Sequence, residues 1–166
     1  MIKQITNIIK ALNSDKKPEE LALAASHGLL AAYLSAEPIN FFLVLVLLAF
    51  LSANVSFFFL CAAVFKILAL LTDPLADLIG YAVLKLEVLK GLFTIMNNTP
   101  FIPLTGFNNT VVMGSFILAI VLFIPVYFGA LKFIAFYRTK LQASVNKLKV
   151  VQAFKLTGFY RFFSGE

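Results

Sequence analysis

The sequence predicts an all-α, polytopic membrane fold, and three observations carry that expectation. Residues 38–72 read PINFFLVLVLLAFLSANVSFFFLCAAVFKILALLT, with Lys66 as the only charge. The whole chain is 61% hydrophobic and 13% charged, with a mean hydropathy of +0.93, where an ordinary soluble domain is roughly 45–50% apolar and about 25% charged. A second apolar run, residues 110–137, carries a single lysine near its end and would be about 42 Å long as a helix, more than a bilayer core of about 30 Å requires. A buried hairpin in a soluble protein is the alternative for residues 38–72, and the equally apolar remainder of the chain argues against it. The expectation is one integral membrane domain over 1–166.

Residues 1–17 place Ile2, Ile5, Ile8, Ile9 and Leu12 at helical spacing with Lys3 and Lys10 off that stripe, which predicts an interfacial amphipathic helix. A frayed N-terminus is the other reading. The segment is too polar for a secretory h-region and no small-residue cleavage site follows it. Pro18, Glu19 and Glu20 then mark a helix start, with proline in the first turn and acids at the positive end of the dipole. Ala24, Gly28, Ala32 and Ala36 recur every four residues, a small-residue stripe that lets another helix approach closely within a membrane. His27 lies beside the stripe without a motif partner, so packing or a hydrogen bond is expected of it rather than catalysis.

The residues around Glu37-Pro38 break this helix, and Ser52-Ala53-Asn54 breaks the next. Residues 18–53 are therefore expected to form a short helical hairpin, tilted or re-entrant, because each arm is only about 25 Å long by helical rise. A span over 55–72 follows. His27, Asn54, Lys66, Asp73 and Asp77 are the polar or ionisable residues expected at membrane depth, where such groups point to function. Lys66, Asp73 and Asp77 share a face if the helix continues past Pro74. The plainer readings of Lys66 are a lysine reaching for the headgroups or paired with Asp73. Residues 74–95 form an amphipathic helix by periodicity.

Residues 97–109, NNTPFIPLTGFNN, carry no charge, two prolines, a glycine and two phenylalanines. This apolar outer loop is expected to meet lipid or a partner through Asn97, Asn98, Phe101, Phe107, Asn108 and Asn109, the asparagines supplying amide donors and acceptors. The span at 110–137 must tilt or kink at Pro125. Residues 138–166 form a basic amphipathic tail. From Lys132 onward there are seven basic residues and one acid, which equals the net charge of +6. Lys132, Arg138, Lys140, Lys147 and Lys149 are expected to face anionic lipid, with nucleic-acid binding as the disfavoured alternative for a basic tail directly after an apolar span. Lysines at both termini and acids at Glu37, Asp73 and Asp77 put both termini in the cytoplasm by the positive-inside rule.

The pattern Ala24…Gly28, Glu37-Pro38, Ser52-Ala53-Asn54 and Lys66…Asp73-Pro74…Gly80, with the later NTPFIPLTGFNNTVVMGS, resembles a family of small polytopic bacterial inner-membrane proteins of unknown function. The similarity covers about residues 21–127, and Ala32 stands near the place of the second glycine of that family's usual pair. The family has no established catalytic residue, so none is carried over. Its genes tend to accompany a gene for a large AsmA-like envelope protein, and the resemblance therefore implies an accessory membrane subunit in envelope phospholipid traffic.

The residues themselves argue against enzyme classes. Cys61 is the sole cysteine and His27 the sole histidine, so an internal disulfide or cysteine-based zinc site has no second ligand, and neither a phosphate loop nor an H-E-x-x-H motif occurs. Ser26 and His27 are neighbours on a helix and point about 100° apart, a poor nucleophile–base geometry. No cofactor is expected. An interaction role comes first, through the small-residue stripe, the interfacial helices and the apolar loop. A small transporter or channel, built as a homo-oligomer, comes second, on the broken short helices, Lys66 and the asparagine-rich loop.

Overall fold

The structure is a computed structural model that describes residues 17–51 and 53–141. The helix expected at 1–17, apart from Lys17, and the tail beyond residue 141, with Lys147 and Lys149, lie outside the described residues. The elements in order are α1 (Pro18–Leu34), α2 (Pro38–Ala49), α3 (Val55–Leu84), a 3-10 turn (Glu87–Leu89), α4 (Lys90–Asn98), a second 3-10 turn (Ile102–Thr105) and α5 (Thr110–Phe136), which runs on into a π-turn (Tyr137–Leu141). The architecture is all-α, with no strand among the described residues.

Helix ends follow local chemistry. Pro18 opens α1 with Glu19 and Glu20 in its first turn, and Pro38 opens α2, since proline's missing N–H costs nothing there and its φ is already helical. The Asn54 side chain caps α3 by accepting from the Phe57 N–H at 2.9 Å. Asn109 caps α5 by accepting from Val111 and Val112 at 2.9 and 3.2 Å. Each cap satisfies N–H groups that the helix itself leaves orphaned.

Contacts between named residues give the topology. Gly28 lies against Phe58, Cys61 and Ala62, and Ser35 meets Lys66, so α1 and α3 run in the same direction. Gly80 meets Thr110, Gly114 meets Ala76 and His27 meets Phe123, so α5 runs opposite to both. Val44 and Leu48 of α2 join Leu21, Phe58, Ile134 and Tyr137 in one apolar cluster, which brings α2 back along α1. The chain runs up, down, up and down. Lys17 and Tyr137 lie toward one end of the bundle, and the connections at 35–37 and 85–109 lie at the other.

The centre of the bundle is α1, not the longer apolar stretch at 38–72. Every residue from 24 to 29 is buried. Its small side chains admit α3 on one side and α5 on another. Phe57 and Phe58 of α3 pack inward, while many other large apolar side chains point outward. Phe50 is 84% and Leu71 73% exposed.

Two described helices are long and apolar enough to cross a membrane, α3 and α5 with its extension. Only 17% of the apolar window of the first and 28% of that of the second is buried. The core helix of a soluble protein is mostly covered, whereas an exposed apolar surface this large is the kind that marks a membrane or protein contact.

The structure corrects the boundaries expected around Pro74. The span at 55–72 and the amphipathic helix at 74–95 are not two elements divided by proline. One 30-residue helix, α3, passes through Pro74 and ends at Leu84, and the separate short helix α4 starts at Lys90. Pro74 withdraws the N–H that the Leu70 carbonyl would use. Packing overrides that local penalty: Ala76 and Gly80, within the next two turns, sit in backbone contact with α5, which fixes the helix beyond the proline. Asn97 and Asn98 accordingly end α4 rather than begin a loop.

Candidate functional site

The polar residues expected at membrane depth largely hold helices together. His27 is 6% exposed. Its Nδ1–H donates to the Leu23 carbonyl at 2.8 Å, which assigns the tautomer, and its ring meets Phe123 edge-on at 5.3 Å. Asn54 is the α3 cap. Lys66 extends its ammonium toward the C-terminal end of α1, donating to Ser35 Oγ at 2.8 Å and to the Ala32 carbonyl at 3.4 Å. A cation there satisfies orphan carbonyls and the negative end of the helix dipole. It is not paired with Asp73. Further along α3, the Thr72 and Tyr33 hydroxyls bond at 3.0 Å, tying the same two helices. Asp77 accepts from the Thr110 hydroxyl at the first turn of α5, where a carboxylate suits the positive end of that helix. Asp73 is half-buried on α3.

Lys66→Met should remove both bonds to α1 and cost about 1–2 kcal/mol, the low end of the roughly 1.5–3 kcal/mol of a charged hydrogen bond, reduced by partial exposure. Thermal unfolding in detergent would measure it, and an unchanged midpoint would rule the cap out.

The small-residue stripe packs within the chain. Ala24, Gly28 and Ala32 are buried. A Cβ at Gly28 would meet the Cys61 Cβ, the Ala62 nitrogen and the Phe58 oxygen at 2.8–2.9 Å. Ala36 leaves the stripe: it lies in the turn after α1, exposed. At the termini end, Lys132 and Lys140 are exposed and Arg138 is half-buried.

The remaining site residues gather at the opposite end, on the connection from Glu87 to Asn109. Two residues there adopt left-handed backbone, Phe101 at φ 69° and Gly106 at φ 68°. Gly106 suits that conformation, and the Glu37 side chain lies directly over it. Asn40 Nδ2 donates to the Thr105 carbonyl at 2.8 Å, so α2 fixes the loop from below. Phe107 is 7% exposed and stacks on Phe93 of α4 at 6.2 Å. The loop phenylalanines therefore have opposite roles. Phe107 anchors the loop, while Phe101 points away from the protein, 76% exposed. Val88, Ile95 and Leu104 are likewise exposed on this connection.

Two voids flank Phe107. One, of about 230 Å³, is apolar and bounded by Leu34, Leu43, Met96, Val112 and Phe116, with the Asn40 amide at its wall. The other, of about 460 Å³, is an open cleft bounded by Lys90, Thr94, Asn97, Asn98 and Asn108. Asn109, by contrast, is occupied as the α5 cap. Sequence reasoning missed Asn40, although an amide in the run PINFFLV stands out, and it missed the Ala76/Gly80 to Thr110/Gly114 crossing, for which the four-residue spacing on both helices was the available signal.

The chain is similar to an uncharacterized protein of Treponema pallidum (strain Nichols), 25% identical over 146 residues, which cover 88% of this chain and 90% of the relative. No family model and no solved structure matches.

Proposed function

We propose that this chain is an accessory subunit of the bacterial inner membrane that docks a larger AsmA-like envelope protein in phospholipid transfer between membranes. The family resemblance supplies the partner class. The observation that carries the docking role is Phe101, an exposed aromatic residue held in left-handed backbone on an apolar outer loop. Such strain persists only where the surroundings over-determine it and clusters at functional positions. In this reading the end bearing Lys17, Lys132, Arg138 and Lys140 faces the cytoplasm, α1, α2, α3 and α5 cross or enter the bilayer, and the loop end meets the partner on the outer side.

Purification from native membranes in a mild detergent, with mass spectrometry of proteins and lipids together, tests this. A stoichiometric large envelope protein is expected with the wild type and not with Phe101→Asp. Retention of the partner by Phe101→Asp would overturn the docking face. Phe101→Gly separates docking from folding: it should lose the partner yet raise stability by about 0.5–1 kcal/mol, the left-handed cost of about 1–2 kcal/mol less the backbone entropy of glycine. Thermal unfolding of the purified chain would read the second effect.

The second reading, a small homo-oligomeric transporter, draws on the half-buried Asp73 of α3. It is weaker because Lys66, Asn54 and His27, on which a polar pathway would rest, bond to helix backbone or cap helix ends. A homo-oligomer without a large partner, with flux that depends on Asp73, would favour it.

A further inference from the structure

We infer that the loop end holds one phospholipid molecule as a defined ligand, with an acyl chain in the apolar cavity and the headgroup phosphate in the cleft on the other side of Phe107. This deepens the lipid part of the function proposed above and rests on that reading, though not on the identity of the protein partner.

Three features favour such an occupant. The apolar cavity of about 230 Å³ opens between α2 and α5, at Leu43 and Phe116, which are 50% and 48% exposed. Those rim residues are continuous with the outward apolar surface of the two helices, so a hydrocarbon chain can enter sideways from a bilayer without crossing water. The adjoining cleft has the opposite character. It carries one cation, Lys90, and the carboxamides of Asn97, Asn98 and Asn108, a donor set suited to phosphate oxygens. Lys90 is paired with Glu87, both largely exposed, and a phosphate would take the place of that carboxylate. Finally, Phe107 lines both spaces and is fixed by its stack on Phe93. The boundary between apolar and polar walls thus falls at one immobilised ring, which is the division an amphiphile requires.

The full chain, reconstituted in phosphatidylethanolamine and phosphatidylglycerol vesicles containing a phospholipid with a photoreactive acyl chain, tests the inference by adduct mapping. Adducts are expected on Met96 and Met113, residues of the cavity wall. Leu43→Trp, a rim change on an exposed helix face, should cut them about tenfold, equivalent to about 1.4 kcal/mol of affinity, while labelling of outward residues such as Leu71 and Val121 stays the same. A photoreactive diacylglycerol, which lacks the phosphate, should label the cavity several-fold less than the phospholipid, and Lys90→Ala should erase that preference.

Adducts confined to Leu71, Val121 and other outward positions would overturn the inference, as would Leu43→Trp without effect on Met96 and Met113. Equal labelling by diacylglycerol would overturn its headgroup half. Phe101→Asp should leave cavity labelling intact while losing the protein partner, so failure of the lipid site and failure of partner docking give different results.

Discussion

Gly114→Leu is expected to destabilise the fold more than any other single change, with Gly80→Leu close behind. A Cβ built on Gly114 falls 1.7 Å from the Ala76 carbonyl oxygen, and one on Gly80 falls 1.8 Å from the Thr110 oxygen. These are backbone atoms, so no side-chain rotation relieves the overlap. The helices would have to separate by roughly 1.8 Å to restore ordinary contact at about 3.5 Å. Overpacking a core commonly costs about 1–3 kcal/mol, and forcing two backbones apart should cost on the order of 3 kcal/mol or more. Even Gly80→Ala and Gly114→Ala should be clearly destabilising. Because both force the same separation, the double change should cost less than the sum of the singles.

Gly129 is the internal control. It lies on α5, and a Cβ placed on it would have nothing within 4 Å. Gly129→Ala should therefore stabilise by about 0.5–1 kcal/mol through helix propensity alone. Thermal unfolding in one detergent across the set would check all of these. Gly114→Leu unfolding like the wild type would mean that α3 and α5 do not cross there, and the account of why α3 survives Pro74 would fall with it.

That crossing also explains what the sequence could reveal. The break at Glu37-Pro38, the helix start after Asn54, the start of α1 at Pro18 and the long run of α5 were legible because each is set by local chemistry: proline at a first turn, an asparagine cap, an apolar run of sufficient length. Pro74 misled because its local preference is opposed by contacts distant in sequence, at Thr110 and Gly114. The central place of α1 has a related reason. In water the most apolar stretch is the core. Where apolar side chains have an apolar surrounding, the centre instead goes to the helix with the smallest side chains, here α1 with Ala24, Ala25, Ser26 and Gly28, and many large side chains of α2 and α3, Phe42 and Leu71 among them, remain outside.

The loop was legible as an apolar turn rich in amides. Its division of labour was not, because nothing local distinguishes Phe101 from Phe107. The first sits in left-handed backbone with its ring outside, and the second is buried and stacked on α4. Asn109 and Asn108 likewise differ only in position relative to α5: the former immediately precedes its first turn and caps it, while the latter borders the open cleft.

Gly28→Leu carries the second large effect, and it decides whether the small-residue stripe serves this chain or a partner. The contact seen at Gly28 is internal. A Cβ there meets the Ala62 nitrogen and the Phe58 oxygen at 2.9 Å and the Cys61 Cβ at 2.8 Å, distances at which the neighbours must give, and two of the three atoms are backbone. A leucine must also place three further carbons in the same seam, so a loss of about 3 kcal/mol is expected. Lys66 bonds to Ser35 and Ala32 one to two turns along the same interface, so separating α1 from α3 at Gly28 should weaken that cap too. Gly28→Leu and Lys66→Met should then be non-additive. The loss should appear in the isolated chain as a lower unfolding midpoint that does not change with protein concentration, since an internal seam, unlike a subunit interface, gains nothing from mass action. A Gly28→Leu chain that unfolds normally when pure but no longer co-purifies with its large partner would reverse the assignment, leaving the stripe as the docking face and Phe101 as a bystander.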